Sequence, residues 1–101
     1  MFYAKFRNEE GQEIGKLYDL WDEYHADTFS PEVEPLELID FSVKGKNYRE
    51  RQSSVETTAR DFQAADIGGL FINDYARIWE WFTTQGKRYG LLKEFRENAI
   101  C

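Results

Sequence analysis

With 101 residues, 42% of them apolar and 32% charged, the chain has the balance of one soluble globular domain spanning 1–101 and is too apolar for intrinsic disorder. A formal charge of −6 argues against a partner held mainly through phosphate contacts, so direct nucleic-acid binding is not expected. One cysteine, Cys101, excludes an internal disulfide and a multi-cysteine metal cage and fits a reducing, cytoplasmic setting; with no basic-then-apolar leader and no apolar run near membrane-span length, no membrane partner is expected.

The first element is a strand. Phe2, Ala4 and Phe6 alternate with Tyr3, Lys5 and Arg7, the period-two pattern of a half-buried strand. Asn8-Glu-Glu-Gly11 is a turn signal, and Gln12–Lys16 is expected to return as the hairpin partner. From Leu17 the period changes: Leu17, Leu20, Trp21 and Tyr24 follow i, i+3, i+4, i+7 spacing and predict a short helix with Asp19, Asp22 and Glu23 on its polar side. Pro31 and Pro35 mark a loop, since each pushes its preceding residue out of the helical region.

A second hairpin is expected next, with Leu36–Val43 as a strand, Lys44–Asn47 as a tight turn and Tyr48–Gln52 as the return strand. Ser53 with Glu56 reads as a capping box opening a helix to about Ala65, although Val55, Thr57 and Thr58 would equally suit a strand. Gly68-Gly69 then breaks the chain. Asn73 or Asp74 is expected to cap a helix that buries Tyr75, Ile78, Trp79 and Phe82, leaves Trp81 at the edge of that face, and stops at Gly86. A last helix over 89–98 would bury Leu91, Leu92 and Phe95. These elements predict an α+β domain: an antiparallel sheet of about four strands in two hairpins, with three to four helices on one face.

Charge is unevenly spread. Between Glu9 and Asp40 eleven carboxylates face only Lys16, a formal charge of −10. Such self-repulsion opposes folding, so it calls for a partner or for tolerance as a solubility device. Carboxylates spread over one face can imitate the phosphates of duplex DNA. Asp19, Asp22, Glu23, Asp27, Glu32 and Glu34, with Trp21 and Tyr24 among them, form the candidate partner-binding set. The expected partner is a protein with a basic surface, such as the nucleic-acid site of a larger enzyme. Small acidic inhibitors of restriction or CRISPR nucleases carried by phages and mobile elements share this size and charge, and no motif ties the chain to them. A homodimer is the other association left open, because Lys87, Arg88, Lys93 and Arg96 could meet the carboxylates of a second copy.

Enzyme motifs are sparse. His25 with Asp22 and Asp27 could supply metal ligands, yet a lone histidine beside surface carboxylates is an ordinary solvated group, so no metal or other cofactor is expected. Asp19 and Glu23 would pair as acid and base only in a cleft that separates their pKa values, and Gly68-Gly69 lacks both the Lys-Ser/Thr of a phosphate loop and the G-x-G-x-x-G spacing. The leading expectation is therefore a non-enzymatic interaction protein. An adaptor docking through its aromatic helix, and a carboxylate/histidine metal-dependent enzyme using Asp19, Asp22, Glu23 and His25, are the rivals.

Overall fold

In the computed structural model, which describes residues 1–101, Phe2–Arg7 forms strand β1 as its alternation predicts. Strand β2, Glu13–Tyr18, returns antiparallel to it. In the turn between them Asn8 Oδ1 accepts the N–H groups of Glu10 and Gln12, and Gly11 takes a positive φ of 80°. Strand β3, Glu34–Asp40, pairs antiparallel with the other edge of β1, giving the order β2-β1-β3. Its register shifts opposite Lys5/Phe6, where Pro35 sits on an edge strand that can spare an N–H. Four helices complete the chain: α1 (Trp21–Asp27), α2 (Tyr48–Ala64), α3 (Ile72–Tyr89) and α4 (Leu92–Glu97). The class is α+β, with three strands rather than about four.

The chain divides into two units. The first holds Met1–Phe41 and Asp66–Leu70. One face of its sheet carries an apolar cluster of Phe2, Ala4, Phe6 and Tyr18, against which Ile14, Tyr24 and Val33 pack. The other face is also covered, so β1 is not the half-buried strand its alternation suggests. Tyr3 is fully buried there beneath 66–70, its hydroxyl within 3.4 Å of both the carbonyl and the N–H of Gly68. Lys5 Nζ donates to the Asp66 carbonyl at 3.2 Å. Gly15 allows this close approach, because a Cβ there would collide with the Gly68 carbonyl and the Tyr3 hydroxyl. Gly68-Gly69 thus serves as sheet cover as well as a break between helices.

Covering both faces also explains why the expected helix from Leu17 is displaced. Leu17 and Tyr18 are the last residues of β2, buried on opposite faces of the sheet, and the helix starts only at Trp21. Asp19 lies in the bend before α1 and not on its polar side.

The second unit holds Ser42–Ala65 and Phe71–Cys101. No second hairpin forms. Asn47 Oδ1 accepts the Glu50 N–H at 2.9 Å and the Glu50 carboxylate accepts the Lys46 N–H at 2.6 Å, so the cap of α2 is Asn47, six residues before the Ser53 expected from sequence. The 53–65 segment is accordingly helix, not strand. Asn73 and Asp74 fall inside the first turn of α3, which begins after Phe71. Gly86 does not stop that helix. It is buried where a Cβ would crowd Phe95 and Leu92, and Gly90 in the left-handed conformation (φ 69°) ends the helix instead.

Val55, Ala59, Ile78, Phe82, Tyr89, Leu91, Phe95 and Ile100 are buried in this unit, with the Phe82 ring 5.2 Å from Phe62 and 5.7 Å from Phe95. The aromatic face of α3 differs from the sequence expectation. Trp79 is 58% exposed and Tyr75 is exposed too, whereas Trp81 is half-buried edge-on against Phe82. The buried stripe runs Ile78–Phe82–Gly86–Tyr89, rotated away from Tyr75 and Trp79.

Candidate functional site

The charge asymmetry follows the division into units. The sheet unit carries Lys5, Arg7 and Lys16 against twelve carboxylates, a formal charge of −9, while the helical unit carries ten basic residues against seven acidic ones, or +3. The acidity of the protein therefore belongs to the small sheet and its flanking segments.

Helix α1 is held on the sheet by rings. The Trp21 ring stacks on Phe2 at 3.9 Å, and Tyr24 meets Phe2 and Tyr18 edge-on at 5.7 and 5.6 Å. Thr28 closes the helix, its N–H and hydroxyl both donating to the Tyr24 carbonyl. Asp22 and Glu23 occupy the first turn, where carboxylates suit the helix dipole, and His25 the last turn, where a basic group does. Both carboxylates are exposed, as is Trp21 in part. Val33 packs on the same cluster as Tyr24, so the connection carrying exposed Glu32 runs along the face of the sheet that α1 covers.

Other members of the predicted set are engaged within the unit. Asp27 Oδ2 accepts the Tyr18 hydroxyl at 2.7 Å and Lys16 Nζ at 3.2 Å, and the Lys16 ammonium lies 5.0 Å from the Tyr18 ring centre. The Tyr18 hydrogen bond, with Lys16 beside it, holds the Asp27 carboxyl below its usual pKa; burial, reinforced by that same bond, pushes the Tyr18 hydroxyl well above its usual value. Glu34 pairs with Arg7 at 2.9 Å, and Arg7 also meets Glu13 at 3.4 Å. The structure therefore places Trp21, Asp22, Glu23 and Tyr24 on α1, with Trp21 and Tyr24 turned onto the sheet and the two carboxylates exposed, leaves Glu32 exposed beside Val33, sets Asp27 and Glu34 in ion pairs, and places Asp19 outside the helix.

Two of the residue groupings considered for catalysis are placed differently from their sequence reading. Asp19 and Glu23 do not share a helical face, and Asp27 of the candidate ligand trio is engaged by Tyr18 and Lys16. No group of three or more His, Cys, Asp or Glu side chains lies close enough to hold a metal ion. No helix is long and apolar enough to cross a membrane.

The aromatic helix, read from the sequence as core with docking only as a rival role, carries an open surface. Ile72, Tyr75, Ala76 and Trp79 form an exposed apolar stripe on α3 bordering a groove of about 510 Å³ whose other walls include Phe62, Ala99 and Ile100. Its signal was present, because α3 has apolar residues over an arc too wide for a single buried stripe. Compared with known protein families, curated proteins and solved structures, the chain gives no match.

Proposed function

We propose that this protein is a non-enzymatic interaction protein whose acidic sheet unit docks on a basic protein surface, of the kind that lines the nucleic-acid site of a larger enzyme. The observation that supports the reading is the segregation of charge: −9 on one unit, where Asp22, Glu23 and Glu32 are exposed and Trp21 is partly so. Helix α1 is anchored by Trp21 and Tyr24, so the backbone that carries its carboxylates is already in place and little backbone ordering is left to binding. Long-range attraction would steer encounter, and the aromatic surface would supply contact area once the charges are matched. Occupying such a surface in place of phosphates makes the chain an inhibitor of the enzyme that owns it; antirestriction and anti-CRISPR proteins of phages and mobile elements act in this class.

The test is capture from a lysate of the encoding organism on the immobilised protein, beside the triple substitution Asp22→Asn/Glu23→Gln/Glu32→Gln. Each protein retained by the wild type is then challenged with duplex DNA and with salt. A basic protein that the triple variant fails to hold, and that duplex DNA and 0.5 M salt both release, supports the reading. Equal retention by wild type and variant overturns it.

A further inference from the structure

The helical unit carries a second surface that owes nothing to the acidic face. Phe71, Ile72, Tyr75 and Trp79 are 80%, 83%, 40% and 58% exposed, and all lie along α3 or at its start. Ile72, Tyr75, Ala76 and Trp79 follow i, i+3, i+4, i+7 spacing, the repeat that lets one helix pack along another. From the buried stripe Ile78–Phe82–Tyr89 they are turned aside, so packing within the unit leaves much of their surface in solvent.

We infer that this face of α3 docks on the same face of a second copy, the two helices running antiparallel about a two-fold axis between positions 75 and 76. The stripe is self-complementary in that arrangement. Ile72 lies opposite Trp79 of the second copy, and Tyr75 opposite its Ala76, so each large ring meets a smaller side chain and both pairs recur across the axis. No other register of an antiparallel pair gives all four stripe residues a partner from the stripe. Ala76 near the axis also permits close approach of the helix backbones.

Charge allows the contact. Between Ile72 and Trp79 the helix carries one Asp and one Arg, Asp74 and Arg77, so two stripes meet without net repulsion. The protein's acidity lies in the other unit. At roughly 150–250 Å² per large side chain and these exposures, Ile72, Tyr75 and Trp79, together with Phe71 next to the paired stripe, offer on the order of 500 Å² per copy. Two copies then bury about 1,000 Å², the threshold of a specific interface. The groove beside Tyr75 and Trp79, bounded by Phe62, Ala99 and Ile100, supplies the depth that receives the second copy's rings.

Sedimentation velocity from 1 to 200 µM, at 0.05 and 0.5 M NaCl, tests this. Wild type is expected to pass from monomer to dimer with concentration and to keep the dimer in high salt, because the contact is apolar. Ile72→Glu, which alters a side chain already in solvent in the monomer, should weaken the dimer at least tenfold while its circular dichroism and melting stay unchanged. Ala76→Cys on a Cys101→Ser background should be crosslinked by a short bismaleimide, and Asn73→Cys, off the stripe, should not. The variant Asp22→Asn/Glu23→Gln/Glu32→Gln should dimerise normally, which keeps this result separate from the fate of the acidic face. A wild type that stays monomeric throughout overturns the inference, even if its α3 groove captures a helix of another protein. So does a dimer indifferent to Ile72→Glu, or one that salt alone dissolves.

Discussion

Truncation of Phe82 should be the most damaging single change in α3, and truncation of Trp79 one of the mildest of its aromatic positions. Phe82 is fully buried, and its ring contacts Phe62, Phe95 and Trp81 at centroid distances of 5.2, 5.7 and 5.1 Å. Phe82→Ala therefore removes a ring at a junction of three aromatic neighbours on three different helical segments. The loss should fall at about 3–5 kcal/mol, the range for a buried aromatic that leaves a cavity. Trp79 keeps 58% of its surface in solvent. Full burial of a large side chain is worth about 1.5–3 kcal/mol, and two-fifths of that gives about 1 kcal/mol for Trp79→Ala. Urea unfolding followed by circular dichroism measures both, at protein concentrations low enough that association adds nothing. With a slope of about 2 kcal/mol/M, Phe82→Ala should lower the midpoint by about 2 M and Trp79→Ala by about 0.5 M. Equal shifts would refute the placement of the buried stripe and restore the face centred on Tyr75 and Trp79.

Three further outcomes follow from the same geometry. Asp27, with a folded pKa below its unfolded value, contributes stability that is present above about pH 4 and lost as pH falls through the folded pKa; Tyr18, with a raised value, contributes stability that is present below about pH 10 and lost as pH rises past it. Asp27→Asn should flatten the acid limb of a stability–pH curve, and an unchanged limb would contradict the Tyr18–Asp27–Lys16 contact. Gly15→Ala should cost roughly 1–3 kcal/mol in chemical unfolding by pushing 66–70 off the sheet, and a neutral result would mean that this segment does not lie on β2. Asn47→Ala should cost about 1 kcal/mol through loss of the α2 cap, with helicity by circular dichroism falling slightly; no change would relocate the start of α2 toward Ser53.

The parts of the fold legible in the sequence are those governed by local pattern. The alternation of Phe2–Arg7, the Asn8–Gly11 turn, the break at Gly68-Gly69 and the helices carrying Phe82 and Phe95 all follow from spacing and turn chemistry. What escaped is non-local. Tyr3 reads as a polar-side position because the segment that buries it, 66–70, lies some sixty residues away, and Leu17 and Tyr18 read as helical although they end β2 opposite Tyr3 and Phe2. The charged, aromatic run 48–52 has no apolar period to set strand against helix, and the Asn47 cap decides it. Likewise the split of charge by unit was visible as a run of carboxylates, but not which of them are spent in pairs. Asp27 is taken by Tyr18 and Lys16 and Glu34 by Arg7, while Asp22, Glu23 and Glu32 stay open. Trp79 and Trp81 differ from their reading because the buried stripe of α3 is Ile78, Phe82, Gly86 and Tyr89, which leaves Trp79 mostly in solvent and Trp81 half-buried against Phe82.

The open carboxylates of the sheet unit are proposed to bind a basic surface. That binding is tested most directly by the salt dependence of affinity for the captured partner, measured by titration calorimetry for wild type and for Asp22→Asn/Glu23→Gln/Glu32→Gln across 0.05–0.5 M NaCl. The account predicts that wild-type affinity falls steeply with salt, that the variant binds at least tenfold more weakly at 0.05 M, and that the two converge as salt rises, with stability unchanged. Parallel salt curves of equal affinity would contradict it and leave the acidity of the unit as a means of staying in solution.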